Sequence, residues 1–219
     1  MKFDLMSIVN TVAPSFEDVY NEIEDLKNSN KGLNKDLLAK KFISKITIKY
    51  TSVGVGSALP SVIPGLGTAA QIAVEAGTIS GDLALMLRWM SNMCMGVGII
   101  YDKNMKENHN KEFITVLGIW SGVIIAAKEA VKRVGTKVAV VQFNKNVTGK
   151  IIQKINSKVG TTLFTKYGTK RGGIALGKLI PFGVGAAITG TFNYNTMKRF
   201  GKSAISYYGD NNEDFVIIE

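Results

Sequence analysis

Two long uncharged stretches, each interrupted by glycine and proline, constrain most strongly how this chain can fold. Residues 51–74 contain no charged side chain over 24 positions, and residues 179–197 contain none over 19 positions. As straight helices, the two stretches would be about 36 Å and about 28 Å long, which is close to or above the thickness of a bilayer core of about 30 Å. Because proline breaks a helix, each stretch is predicted to form an apolar hairpin that either dips into lipid or is buried under other helices.

The two stretches are similar to each other around the proline and glycine positions. The sequence IPGLGTAA at residues 63–70 is echoed by IPFGVGAA at residues 180–187, and paired segments of this kind can signal a repeated unit. The second stretch is the stronger candidate for a membrane span, because Lys178 precedes it and Lys198 and Arg199 follow it. The residues predicted to contact the membrane or to allow close packing are Pro60, Pro64, Gly65, Gly67, Pro181, Gly183, Gly185 and Gly190.

The rest of the chain shows the spacing of helices. Ser15 precedes two acidic residues and an apolar stripe over residues 15–29, and Asn34 is placed to cap a second helix. A long helix from about residue 68 to residue 101 holds Met86, Met90, Met93 and Met95, which we expect to fill the core. The uncharged residues 113–127 are predicted to form a further buried helix after a polar connector.

These elements together predict an all-α fold, a helical bundle with apolar helical hairpins broken by glycine and proline. We divide the chain into an N-terminal amphipathic helix (1–33), a helical domain (34–209) and an acidic C-terminal tail (210–219). Glycine pairs four residues apart are expected to let helices approach closely, within one chain or between copies in a homo-oligomer. These pairs are Gly77 and Gly81, Gly118 and Gly122, and Gly173 and Gly177.

The positive charge of the chain is unevenly distributed. The net charge is +10, yet residues 1–110 contain 11 basic and 11 acidic residues. Between Glu129 and Asp210 there are 14 lysine and arginine residues and no acidic residue. This asymmetry indicates an anionic partner, although a solvated helical face explains a lysine-rich sequence as well.

Lipid is favoured over nucleic acid as that partner. Lys150, Lys154 and Lys158 are spaced four apart, and apolar residues occupy the other side of the same predicted helix. A basic amphipathic helix suits an anionic membrane surface, although core packing explains its apolar side equally well. Nucleic acid is disfavoured, because the aromatic residues nearby do not form a stacking platform and the sequence has no recognisable reading motif.

The residues that most often perform catalysis are scarce in this sequence. Cys94 is the only cysteine and His109 the only histidine, and His109 is predicted to lie in an exposed polar connector. Glu75 and Asp82 share a helix face, as a pair of acid–base carboxylates would, but contact with solvent or a lysine explains that placement too. We therefore predict a protein that is not an enzyme and that uses no metal or cofactor.

Two parts of the sequence resemble a known protein family. The more specific part is KLIPFGVGAAITGTFNYNTMKRFGKSAISYY, through Ile180, Pro181, Gly183, Gly185, Ala186, Asn193, Gly201, Ala204 and Tyr207. The second part is GDLALMLRWMSNMCMGVGIIYD, through the acidic Asp82 and the aromatic Tyr101. In these residues the chain resembles the EcsC family, a group of bacterial proteins described as membrane-associated. The chain departs from the family pattern at Asp102, where glycine is common. The resemblance implies a helical protein linked to secretion or to a membrane transporter.

The leading hypothesis is a non-enzymatic, membrane-associated protein that binds anionic lipid through its basic region. Two alternatives stay open: a pore-forming toxin or defence effector that is soluble before it inserts, and a soluble adaptor or regulator. The N-terminal sequence has Asp4 and neither a long apolar core nor a cleavage site. A cytoplasmic location at the membrane is therefore expected, and the sequence leaves open whether the protein is integral or peripheral.

Overall fold

The computed structural model describes residues 5–56, 81–134, 140–143, 147–160, 184–209 and 214–218. These residues are mostly helical, which confirms the predicted all-α fold class. The helices are α1 (Leu5–Val12), α2 (Phe16–Asn28), α3 (Lys35–Gly56), α4 (Gly81–Ile100), α5 (Met105–Ser121), α6 (Ala127–Val134), α7 (149–160) and α8 (Val184–Tyr208). The proline-containing parts of both predicted hairpins lie outside the described residues.

Side-chain caps begin α2 and α3 as the sequence predicts. The Ser15 hydroxyl accepts a hydrogen bond from the backbone N–H of Asp18 at the start of α2, and the apolar side of that helix is buried. The Asn34 side chain accepts from the backbone N–H of Leu37 at 2.9 Å. Each cap pairs a backbone donor that the first turn of a helix leaves free, so the polar loop residue fixes where the helix starts.

The core of the bundle is formed chiefly by α3, α4 and α8, which pack against one another. Its largest fully buried side chains include Phe42 from α3, Met90 and Met93 from α4, and Phe200 from α8. The four methionines of α4 are all buried, as predicted. Helices α1 and α2 pack on α4, and their apolar residues belong to the same core cluster. The N-terminal helices are therefore part of the bundle that the later helices form.

Two contacts between α8 and the region around α3 show the relative direction of the two helices. A Cβ atom added at Gly201 would lie 2.5 Å from Cγ2 of Ile43, so the two helices touch where α8 has no side chain. Eight residues later, Gly209 lies near the Tyr101 hydroxyl, which donates a hydrogen bond to Asp36 at the start of α3. The end of α8 is thus next to the beginning of α3, and the two helices run antiparallel.

A small antiparallel sheet is the main departure from the predicted fold. Its strands are β1 (Ile124–Ala126), β2 (Val140–Gln142) and β3 (Phe215–Ile218), in the order β1-β3-β2. Ile125 is opposite Val216, and Val141 is opposite Ile217. The predicted acidic tail at 210–219 therefore includes a central strand, in which Phe215, Val216 and Ile217 are buried.

The prediction of one helix over residues 113–127 is wrong. Helix α5 ends at Ser121, because Gly122 adopts a left-handed conformation with φ of 77° and its N–H bonds back to Gly118 and Ile119. The β-branched residues that follow then enter β1. Gly118 and Gly122 thus do not form a helical strip, since only Gly118 lies within the helix.

The predicted polar connector after α4 is also largely helical. Helix α5 begins at Met105, and the Asn104 side chain accepts a hydrogen bond from the backbone N–H of Glu107. This earlier start places His109 one turn inside the helix, where it is buried. The prediction that His109 lies in an exposed loop is therefore wrong.

Candidate functional site

Helix α7 has the two-sided character that its lysine spacing predicts. Lys150, Lys154 and Lys158 are exposed, while Ile151, Ile155 and Val159 are buried. The buried side packs on α5 and β1: a Cβ atom at Gly118 would lie 2.9 Å from Cδ1 of Ile155 and 2.7 Å from Cδ1 of Ile124. Because core packing occupies the apolar side, the lysines form a cationic row on the outer surface.

Helix α8 exposes a second group of cations. Lys198, Arg199 and Lys202 are exposed, and the Lys198 ammonium lies 4.9 Å from the centre of the Tyr194 ring. The opposite side of the same helix is buried and includes Asn193, Thr196, Met197 and Phe200. Neither α7 nor the whole length of α8 contains an acidic residue.

In the N-terminal half of the chain, ion pairs offset part of the positive charge. Glu22 accepts from Lys45 at 2.9 Å and from Lys49 at 2.7 Å, and Asp102 pairs with Lys35 at 2.5 Å. Glu22 of α2 and Asp102 of the turn after α4 thus offset cations of α3. The segment 130–209 contains no acidic residue, so no ion pair within that segment offsets the cations of α7 and α8.

None of the helices within the described part of the chain is both long enough and apolar enough to cross a bilayer. The candidate span at 179–197 is only partly described. Its last residues, from Asn193 onward, have one side buried in the bundle. Gly185 and Gly190 lie in α8, whereas Pro60, Pro64, Gly65, Gly67, Pro181 and Gly183 lie outside the described residues.

A serine–histidine contact is buried between α4 and α5. The Ser91 hydroxyl oxygen lies 2.7 Å from His109 Nε2, and the imidazole stacks on Phe113. Burial lowers the pKa of His109 to about 4, so the ring is neutral at neutral pH. Its Nδ1 atom has no hydrogen-bond partner among the described residues, and Ser91 is completely buried. A nucleophilic serine needs an oriented base and access to substrate, and this pair lacks both features within the described bundle.

A second buried polar contact joins α4 to α8. The Cys94 sulfur and the Tyr208 hydroxyl are 3.3 Å apart, and the Tyr208 hydroxyl also points to the Met105 sulfur at 3.8 Å. Burial raises the pKa of the Cys94 thiol and of the Tyr208 hydroxyl, so both stay protonated at neutral pH. A buried, protonated thiol is a poor nucleophile, and its hydrogen bond instead helps to hold the three helices together.

The turn between α4 and α5 is bound to the start of α3. Asp102 has a φ of 58°, in the left-handed region that favours glycine, and glycine is the residue that the family resemblance expects there. The hydrogen bond from Lys35 lowers the pKa of the Asp102 carboxyl. Asp102 therefore adopts a backbone conformation that favours glycine and also forms an ion pair with Lys35.

Of the two carboxylates proposed as a pair, only Asp82 belongs to the described residues. Asp82 is the second residue of α4, and Glu75 lies outside the described residues. Within the described ranges, no group of three histidine, cysteine, aspartate or glutamate side chains is arranged to hold a metal ion. Three residues of the family resemblance are packed within the bundle: Asn193 and Ala204 are buried, and Gly201 contacts Ile43.

Comparisons of the chain with models of known protein families, with curated proteins and with solved structures found no match. The cationic surfaces of α7 and α8 therefore stand as the candidate functional site on their own geometry. These surfaces contain the five residues for which the sequence predicts lipid binding, which are Lys150, Lys154, Lys158, Lys198 and Arg199.

Proposed function

We propose that this protein is a non-enzymatic, membrane-associated helical protein that binds anionic lipid headgroups from the cytoplasmic side through the cations of α7 and α8. The observation that supports this most directly is the division of α7 into an exposed lysine row and a buried isoleucine side. The proposal includes distant membership of the EcsC family, and with it a role linked to secretion or to a membrane transporter.

The energetics of such binding are set by charge. A lysine near an anionic lipid surface contributes about 1 kcal/mol, so the three lysines of α7 together contribute about 3 kcal/mol, or roughly a 100-fold change in partition. This attraction acts over about one Debye length, which shrinks from about 14 Å at 50 mM salt to a few ångströms at 500 mM salt. Binding through these residues is therefore expected to be strong at low salt and weak at high salt.

Vesicle flotation tests the proposal with a charge-matched control. The full-length protein is mixed with vesicles of phosphatidylcholine, with or without phosphatidylglycerol. We expect it to float only with the anionic vesicles, and the triple variant Lys150→Gln, Lys154→Gln, Lys158→Gln to lose roughly 100-fold in partition at low salt. The control replaces by glutamine three exposed lysines that lie outside the basic segment 130–209, which are Lys31, Lys103 and Lys111.

Both triple variants remove three positive charges, so only the position of the charges differs between them. Equal losses in the two variants would show that net charge alone drives the association and would contradict a site on α7. Failure of the wild-type protein to float at low salt would contradict membrane binding altogether. Dye release from the same vesicles would distinguish the pore-forming alternative, whose inserting segments are the apolar stretches predicted at residues 51–74 and 179–197.

A further inference from the structure

The large apolar side chains that the bundle leaves exposed are concentrated around α3. Among the described residues, those at least one-third exposed are Tyr20, Leu33, Leu37, Ile48 and Tyr194. Leu37 (48% exposed) and Ile48 (55% exposed) lie on α3 itself, Leu33 lies just before it, and Tyr194 lies on the antiparallel α8. Single exposed apolar residues are ordinary, but several on one side of a small bundle indicate a contact surface.

The exposed residues of α3 form one continuous stripe. Leu37, Lys41, Ser44 and Ile48 follow one another at spacings of four, three and four, and all four are exposed. Lys40 is also exposed and lies one turn from Ile43, the residue that contacts Gly201 of α8. Lys40 therefore lies between this stripe and the line along which α3 and α8 touch.

A second stripe lies on the α8 side of the same line. Tyr194, Lys198 and Lys202 are spaced four apart and are all exposed, and Lys198 lies one turn from Gly201. Because the buried sides of α3 and α8 face the core, both exposed stripes lie on the solvent side of the helix pair. Together they form one surface, which we call the α3–α8 face, with apolar side chains set among lysines.

The positive charge of the α3–α8 face indicates which kind of partner binds it. Lys40, Lys41, Lys198 and Lys202 are exposed on it, whereas Asp36 is the only acidic residue of α3 and is bound by the Tyr101 hydroxyl. A second copy of the chain would bring lysines against lysines in a two-fold contact, which opposes dimer formation through this face. An anionic bilayer surface complements both features, since it accepts apolar side chains and attracts the lysines around them.

We propose that the α3–α8 face lies flat on an anionic membrane and inserts Ile48, Leu37 and Tyr194 among the lipid headgroups. This inference rests on the proposed function and goes beyond it, because it names the side of the molecule that meets the lipid and the side chains that enter it. The lysines of α7 then contribute by long-range attraction, while the α3–α8 face supplies the contact.

Site-directed fluorescence tests the orientation independently of binding itself. The wild-type thiol, Cys94, is completely buried, so an environment-sensitive dye on the native protein reacts with an introduced cysteine. We expect the dye on Ile48→Cys to shift to shorter wavelength with phosphatidylglycerol vesicles, and the dye on Lys111→Cys, on the exposed side of α5, to stay unchanged. Flotation of the same labelled proteins measures binding separately.

The outcomes separate the two proposals. Flotation without a shift at position 48 would overturn the α3–α8 face while leaving lipid binding through α7 intact. Absence of flotation would overturn both. A shift at position 48 that appears with rising protein concentration and no vesicles would identify a second copy as the occupant and would also overturn this inference.

A pair of matched charge variants provides a second test. Ile48→Glu is expected to reduce the partition onto anionic vesicles by about tenfold, because it removes an inserting side chain and adds a repelled charge. Asn108→Glu makes the same charge change at an exposed position of α5 and is expected to have a much smaller effect. Equal effects of the two variants would contradict insertion at Ile48. Ile48 is exposed, so its replacement leaves the core intact.

Discussion

Protonation of His109 should destabilise the fold as the pH is lowered. The imidazole is buried against Ser91 and Phe113, and burial alone holds its pKa at about 4, compared with the ordinary value of 6.5. Below pH 6.5 the imidazole therefore binds a proton in the unfolded chain but not in the folded chain, and the free energy of unfolding decreases as the pH falls. The contribution is fully present above pH 6.5 and is lost progressively down to about pH 4.

The size of the effect follows from the two pKa values. At pH 5 the unfolded imidazole is almost fully protonated while the folded one is about one-tenth protonated, which lowers the free energy of unfolding by about 2 kcal/mol relative to pH 8. The total loss at pH 4 and below approaches about 3 kcal/mol. Because the chain has a single histidine, the interval between pH 6.5 and 5 reports on this one side chain, before most carboxylates begin to titrate.

Urea unfolding followed by far-ultraviolet circular dichroism at several pH values measures this loss, on protein from which any histidine tag has been removed. The control is His109→Gln, which keeps a polar side chain in the cavity but cannot become charged. Its stability at neutral pH can differ, so the comparison concerns the slope with pH, which should be nearly flat in the variant. A wild-type slope as flat as that of the variant, or a ring proton that titrates near pH 6.5 by NMR, would refute the reasoning.

Three further predictions concern the packing and the ion pairs. Gly201→Ala should lower the free energy of unfolding by about 1–3 kcal/mol, because the added Cβ would overlap the Ile43 side chain. In the control Gly149→Ala, the added Cβ meets nothing within 4 Å, so this variant should be neutral or slightly stabilising. Equal effects of the two substitutions in urea unfolding would contradict the close helix contact. Asp102→Gly should be more stable than Asp102→Ala by about 1 kcal/mol, since only glycine adopts a positive φ without strain. A higher melting temperature for the alanine variant than for the glycine variant would count against the left-handed turn. Glu22→Gln should lower the free energy of unfolding by about 1 kcal/mol at low salt, because it removes the ion pairs with Lys45 and Lys49, and by much less at 500 mM salt. A loss of stability that does not depend on salt would show that packing is responsible instead.

The sequence predicts the helical elements best where a cap and an apolar period agree. Ser15 and Asn34 are local signals, and each is satisfied by a backbone N–H three residues later. The lysine row of α7 was predictable for the same reason, because charge and apolar residues repeat with the helical period. Whether the lysines bind lipid does not follow from that period, since a solvated face has the same pattern.

The failures of prediction occur where the deciding interaction is distant in sequence. Residues 124–126 have no helical or strand period of their own, and they become a strand because residues 215–217 lie opposite them. His109 belongs to a polar sequence, but its spacing of four from Met105 and Phe113 places it on the buried side of α5. That spacing was available in the sequence, whereas its partner Ser91 comes from another helix and could not be identified locally.

The order of the strands has a consequence for how the chain matures during synthesis. β1 and β2 pair with β3 and not with each other, and β3 is formed by residues 215–218. On the ribosome, the helices that precede it can collapse together while the partners of both edge strands are still untranslated. The sheet can then close only after residues 215–218 are translated, through contacts about 75 to 90 residues apart, which are slow to form. Until that moment the isoleucines and valines of residues 123–125 and 140–141 stay without their strand partner, so the nascent chain is prone to aggregate until residues 215–218 have emerged.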